Sequence, residues 1–189
     1  MAKAKPKIVD NDSGENKEVT RNAFYSVFLE QLADMLNGEK QLIECYPKLI
    51  ENVSTPELKL AFENHLEETR LQVSRLNEIF KIIDQNPPKV VCNAMEGLII
   101  DCQEFLKKPL QKLVMDAALV STVQRIEHYE IAAYTTLIAF ADQFSLNDII
   151  ALLHESLTEE SNADKTLKKL SKGTLFKRGL FKLAKEEVI

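Results

Sequence analysis

Apolar residues recur at three- and four-residue steps through most of this chain, and turn signals cut the pattern into four long segments. That spacing places them on one side of an α-helix, so each segment must bury a stripe against its neighbours. In the first, Phe24, Phe28, Leu32, Met35, Leu42, Tyr46 and Leu49 predict a helix over about 21–50. "STPEL" at 54–58 reads as a helix start: Ser54 can cap, Pro56 suits the first turn, and Glu57 completes a capping box. The second helix buries Leu58, Phe62, Leu66, Thr69, Val73, Leu76 and Phe80, and "DQNPPK" at 84–89 ends it. A third runs from near Leu113 to about Gln143. "SLND" at 145–148 is a second capping box, with Asp in place of Glu. It opens a fourth helix, from about Leu146 to Ser171, with Ile149, Leu153, Leu157, Leu167 and Leu170 inward.

The first and second helices, and the third and fourth, are joined by short turns. Residues 90–112 form a long connection too apolar for a disordered linker, and "CNAMEGLIIDCQEFL" predicts a short helix lying across the bundle. One long crossover is the ferritin-like variant of the four-helix bundle. The expected fold class is therefore all-α: a ferritin-like four-helix bundle over 21–171, with a short extra helix in the crossover. Five Gly and no Trp fit long helices better than many-turned β structure. The near-equal spacings Glu39 to Glu68 and Glu130 to Glu160 suggest two copies of a helical hairpin.

Residues 1–20 are polar, with little to bury, and read as a flexible tail. Residues 172–189 read as a basic amphipathic segment that caps the bundle or a partner subunit, with a membrane surface as the weaker option. A net charge of −5 argues against a nucleic-acid backbone as partner. There is no apolar leader and no run long enough to span a membrane. The three Cys lack CxxC spacing and read as buried, reduced thiols, so the expected location is cytoplasmic.

Side chains advance about 100° per helical residue, and on that count acids fall where apolar residues belong. Glu39 sits between Met35 and Leu42, and Glu160 between Leu157 and Ala163, with Asp164 one turn further. Val123, Glu127, Glu130, Tyr134 and Leu137 make one continuous stripe, from which His128 points away. His65 falls on the apolar face of the second helix, with Glu68 on its shoulder. Singly, each has an ordinary explanation: a snorkelling acid, a satisfied core histidine, a tyrosine packed with one hydroxyl partner. Together they are costly, because buried carboxylates repel one another and Arg70, Arg75 and Arg125 lie outside or at the edge of these faces. Two divalent cations would supply the missing positive charge, and a set of carboxylates with one imidazole suits iron or manganese.

The segments "GEKQLIECYPKLI", "STPELKLAFENHLEETRLQVSRL", "CNAMEGLI", "RIEHYEIAAYTTLIAFA" and "LTEESNADKTL" resemble the YciE/YciF family of bacterial ferritin-like stress proteins, over about 22–170. The resemblance implies a rubrerythrin-related bundle, a homodimer, a di-iron-type centre and a link to stress responses. By position it gives Glu39 and Glu130 the single-Glu roles of the first and third helices. It gives Glu68 and Glu160 the Glu roles of the second and fourth. Many di-iron bundles carry Glu-x-x-His on those two helices, but here Leu71 and Ala163 stand at the histidine positions. His65, Glu127 and Asp164 lie three or four residues from these acids and would complete the set.

The expected function is thus a metal-binding stress-response protein. Its dinuclear iron or manganese centre would be bridged by Glu68 and Glu160 and bound terminally by Glu39 and Glu130. His65, Glu127 and Asp164 would support it, with Tyr134 alongside and O2 or peroxide as oxidant. The alternative is a non-enzymatic dimeric helical scaffold with an empty site, working through its C-terminal segment.

Overall fold

The structure, a computed structural model, describes residues 15–174 and 177–187. Its elements in order are α1 (Glu15–Asn52), α2 (Pro56–Ile82), α3 (Asn93–Leu106), α4 (Lys112–Gln143) and α5 (Asn147–Lys172). A two-stranded antiparallel ribbon, β1 (Gly173–Thr174) with β2 (Lys177–Arg178), and α6 (Leu180–Glu187) follow. Four long helices pack side by side with one long crossover between α2 and α4, which is the expected ferritin-like plan. The crossover carries α3 as its extra helix. Helix α1 begins at Glu15, inside the stretch read as tail, where Glu and Lys are good helix formers. The rest of that expectation, residues 1–14, lies outside the described residues.

Both expected capping boxes are absent, for identifiable reasons. The residue at the start of α2 is Thr55, and it makes no side-chain capping bond. Ser54 and Thr55 instead turn to the buried carboxylate of Asp116 on α4. Ser54 donates its backbone N–H to Oδ1 at 2.9 Å and its hydroxyl to Oδ2 at 2.8 Å. Thr55 donates its N–H to Oδ2 at 2.8 Å and its hydroxyl at 2.5 Å. A charged acceptor of four donors outcompetes a local cap. Glu57 is left at the surface, paired with Lys177. At the other turn, Ser145 adopts a left-handed φ of 54° and helps to stop α4 rather than start α5. Leu146 donates its N–H back to Ala141 O at 3.1 Å, the long bond of a Schellman-type end. Asp84 (φ 55°) ends α2 the same way, with Gln85 N–H bonded to Phe80 O at 3.0 Å.

The core is divided in two. One apolar cluster holds Leu42, Tyr46, Leu49, Phe62, Val123 and Ile126, and is closed by Met95 and Cys102 of α3 and Leu180 of α6. The other holds Phe28, Leu32, Met35, Leu76, Tyr134 and Leu153. Each of the four long helices passes from one cluster to the other through buried polar residues, and these form the site. The C-terminal segment folds back on its own bundle: Leu180 and Ala184 are buried, and Glu187 accepts the Leu113 N–H at 2.8 Å. All three cysteines are buried and unpaired. Among the described residues, no helix is long and apolar enough to cross a membrane.

Candidate metal centre

Between the two apolar clusters, α1 contributes Glu39, α2 contributes His65 and Gln72, α4 contributes Glu127 and Glu130, and α5 contributes Glu160; all six are buried. His65, Glu127, Glu130 and Glu160 each offer a ligand atom within 4.8 Å of the others. His65 Nε2 lies 3.6 Å from Glu127 Oε1 and 3.8 Å from Glu160 Oε2. Glu39 joins through charge, because Glu160 and His65 act on its carboxyl. Two tyrosines hold the layer at its two faces. Tyr134 donates to Glu39 Oε1 at 2.5 Å, and Tyr46 donates to Glu127 Oε1 at 3.4 Å, its ring 5.3 Å from that of His65.

Burial and mutual repulsion set the protonation of this layer. Burial, then the Glu160 charge, pushes the Glu39 carboxyl up to about 8, against the pull of the Tyr134 hydroxyl. Burial also raises Glu127 and Glu130 well above the carboxylate range; His65 offsets part of this at Glu127, and Glu160 and Glu39 add to it at both. Burial alone would lower the His65 imidazole, but Glu127 and Glu160 outweigh it and lift the ring to about 10. Left to themselves, Glu39, Glu127 and Glu130 hold protons at neutral pH and the imidazole is charged.

The residues expected at the site are placed unequally. Glu39, His65, Glu127, Glu130 and Glu160 are brought together, and Tyr134 stands behind Glu39. Glu68 is not inside the layer. Its side chain is 39% exposed, and its Oε2 lies 3.5 Å from His65 Nδ1, on the side away from the acids' closest approach. Asp164 is nearly buried, but its carboxylate is taken by His128 at 3.1 Å and Lys168 at 2.5 Å. His128 itself points outward, 57% exposed. Gln72 and Tyr46 were missed. Both sit on buried stripes, Gln72 two turns beyond His65, but neither carries a formal charge to draw notice.

A small cavity of about 130 Å³ between α2 and α5 reaches the layer from outside. Tyr46, Phe62, His65 and Glu127 line it, with Asn64, Glu68, Asn162 and Thr166 among its polar residues.

The donor set fits a cation site. Among the described residues, every buried side-chain nitrogen or oxygen lacking a hydrogen-bond partner belongs to this layer. They are Glu39 Oε2, both nitrogens of His65, Gln72 Oε1, Glu127 Oε2, both oxygens of Glu130, and Glu160 Oε2. Folded proteins rarely leave such atoms unpaired without a ligand or water to satisfy them. Four carboxylates balance two divalent ions when the imidazole is neutral, and oxygen-rich sets with one nitrogen suit iron or manganese.

Comparison with known proteins places the chain in a family and bears on its fold. Protein YciF of Escherichia coli K12 is 39% identical over 139 residues, covering 73% of this chain and 84% of that protein. The crystal structure of the E. coli stress protein YciF matches with a TM-score of 0.75 at 37% identity, over 78% of this chain and 93% of that one. YcfI from Rhodopseudomonas palustris matches at 0.74 and 39% identity, over 77% and 92%. A protein from Xanthomonas campestris, 18% identical, shares the fold, with a TM-score of 0.68 over 88% and 98%. A family profile described as a domain of unknown function, DUF892, matches residues 24–178. The resemblance read from the motifs is thereby borne out: this chain belongs to the DUF892 family and is a relative of E. coli YciF.

Proposed function

We propose that this protein is a stress-response protein holding two iron or manganese ions, and that its centre reacts with O2 or peroxide. The observation that carries this reading is the convergence of unpartnered buried donors from α1, α2, α4 and α5 on one layer. Glu39, His65, Glu127, Glu130 and Glu160 are the ligands. The link to stress rests on kinship with E. coli YciF, a protein named for it. Iron or manganese bound there would supply one-electron oxidations, two of which match the two electrons and two protons that convert peroxide into two waters.

The surrounding residues hold and protect. The Tyr46 and Tyr134 hydroxyls are pushed well above their ordinary range, by burial first and then by the acids, so both keep their protons and act as donors to the carboxylates. The apolar clusters above and below exclude water. The cavity past Glu68 admits only something small, which suits an ion, O2 or peroxide.

The test is metal content after expression with both iron and manganese. Two ions per chain, lost in Glu130→Ala, are expected. Well under one ion per chain, unchanged by Glu130→Ala, sinks the reading in favour of a helical scaffold. Stopped-flow oxidation of Fe(II)-loaded protein by peroxide and by O2 then decides the oxidant.

A further inference from the structure

Gln72 is fully buried on α2 and donates its amide nitrogen to two carboxylates at once. One is Glu160 Oε1 inside the layer; the other is Glu159 Oε2, at 3.1 Å. Only the NH2 end of an amide can face two carboxylates, so the orientation of the side chain is fixed. Glu159, whose side chain is 20% exposed, is gripped in turn by Arg75. Nη1 reaches its Oε2 at 2.7 Å and Nη2 its Oε1 at 2.6 Å, while Arg75 Nε lies 3.1 Å from Glu155. A continuous chain, Arg75–Glu159–Gln72–Glu160, therefore runs from near the surface to the buried layer. At its inner end Glu160 Oε1 is taken by the amide, and Oε2 is left without a hydrogen-bond partner near His65.

We propose that Gln72 is a positioning residue of the metal centre: it fixes the Glu160 carboxylate so that Oε2 is presented to the ions, and it takes its own orientation from the Arg75–Glu159 pair. This rests on the dinuclear reading above. An amide suits the role because it donates without titrating. A carboxylate at this place would add another negative charge beside Glu159 and Glu160. Groups that orient a ligand from behind commonly change metal affinity by about ten- to a hundredfold when removed.

The experiment titrates Co(II) into chelator-treated wild type, Gln72→Met, Glu159→Ala and the double variant, reading affinity and the visible absorption of bound Co(II). Gln72→Met keeps the length and removes the donor. It should weaken binding by about ten- to a hundredfold and alter the Co(II) bands. Its melting temperature without metal should fall, because Glu160 Oε1 loses its donor, so affinity and the Co(II) bands are the readouts that separate positioning from a structural role. Glu159→Ala should weaken binding several-fold alone and add nothing in the Gln72→Met background, since its effect passes through the amide. Should Gln72→Met not fold, Gln72→Asn, which keeps the amide but falls one methylene short, is expected to show the same loss. Wild-type affinity and spectrum in the Gln72 variants overturn this inference alone, as does a Glu159→Ala loss that persists undiminished in the double variant. A wild type that takes up no Co(II) overturns the dinuclear reading and this inference with it.

Discussion

Tyr134 on α4 donates its hydroxyl to Glu39 on α1 at 2.5 Å, with both side chains fully buried. The other oxygen of Glu39 has no partner, so this bond is what satisfies the acid from within the protein. Tyr134→Phe removes the donor and leaves the acid. Without metal, the loss should be about 1–3 kcal/mol, the cost of stranding a buried polar group. With metal bound, Glu39 has another partner and the loss should be smaller. Urea unfolding in chelator and in excess Mn(II) measures both.

Glu130 has both oxygens unpartnered, which makes it a burden on the empty bundle. Glu130→Leu should stabilise the chelator-treated protein by about 1–3 kcal/mol while abolishing stabilisation by metal. In wild type, Mn(II) at a hundred times its dissociation constant should add about 2.7 kcal/mol for one site. Thermal melts with and without Mn(II) separate the two effects. A variant less stable than wild type in chelator would show that Glu130 has a structural partner.

The pH dependence has a definite sign. Glu39 is raised from an ordinary carboxyl value to about 8, and Glu127 and Glu130 are raised too. A buried acid raised in this way favours the folded state while protonated. Its contribution is complete below about pH 4.5 and lost as pH climbs through the folded value, near 8 for Glu39. His65, lifted to about 10, acts in the same direction: its contribution is complete below about 6.5 and lost through 10. Chelator-treated protein should therefore melt at progressively lower temperature between about pH 5 and 9. Stabilisation by metal should grow over the same range, with protons released on binding. Melts across pH, and calorimetry in buffers of different ionisation enthalpy, check each half.

The two histidines of the layer's neighbourhood should behave oppositely. His128 is exposed and pairs with Asp164, so His128→Ala should cost under about 1 kcal/mol and leave metal content unchanged. His65→Ala should abolish high-affinity binding, because it removes the only nitrogen of the clustered donors.

Asp116 is a separate structural device. Its carboxylate accepts two backbone N–H groups and two hydroxyls from Ser54 and Thr55. Asp116→Ala should destabilise the protein by roughly 2–5 kcal/mol, summing charged hydrogen bonds lost and donors stranded, with metal stoichiometry unchanged.

Helical periodicity made the bundle legible, and with it the inward acids. Glu39, Glu127, Glu130 and Glu160 are conspicuous because a charge on an apolar stripe needs a reason. His65 followed from the same count, and so did the outward turn of His128. Glu68 was read geometrically as lying on a shoulder, and its side chain is indeed half out; only the family pattern drew it inward. Asp164 is on the right face, but its neighbours His128 and Lys168 claim it, and no single-helix count shows a neighbour on α4. The capping boxes failed for a similar reason. Ser54 finds Asp116 far along the chain, and Ser145 is spent on ending the helix before it. Gln72 escaped because a search for charge passes over an amide, although its place two turns past His65 was countable.

The divided core has a mechanical consequence. Helices α1, α2, α4 and α5 each run through both apolar clusters, and between the clusters lies a slab of buried acids around one imidazole. The bundle is thus two greasy sections in series, joined by a polar layer where several buried donors and acceptors lack partners within the chain. Cations placed there would draw four helices inward at mid-height, so that occupancy of the centre and the cooperativity with which the two ends unfold become one property.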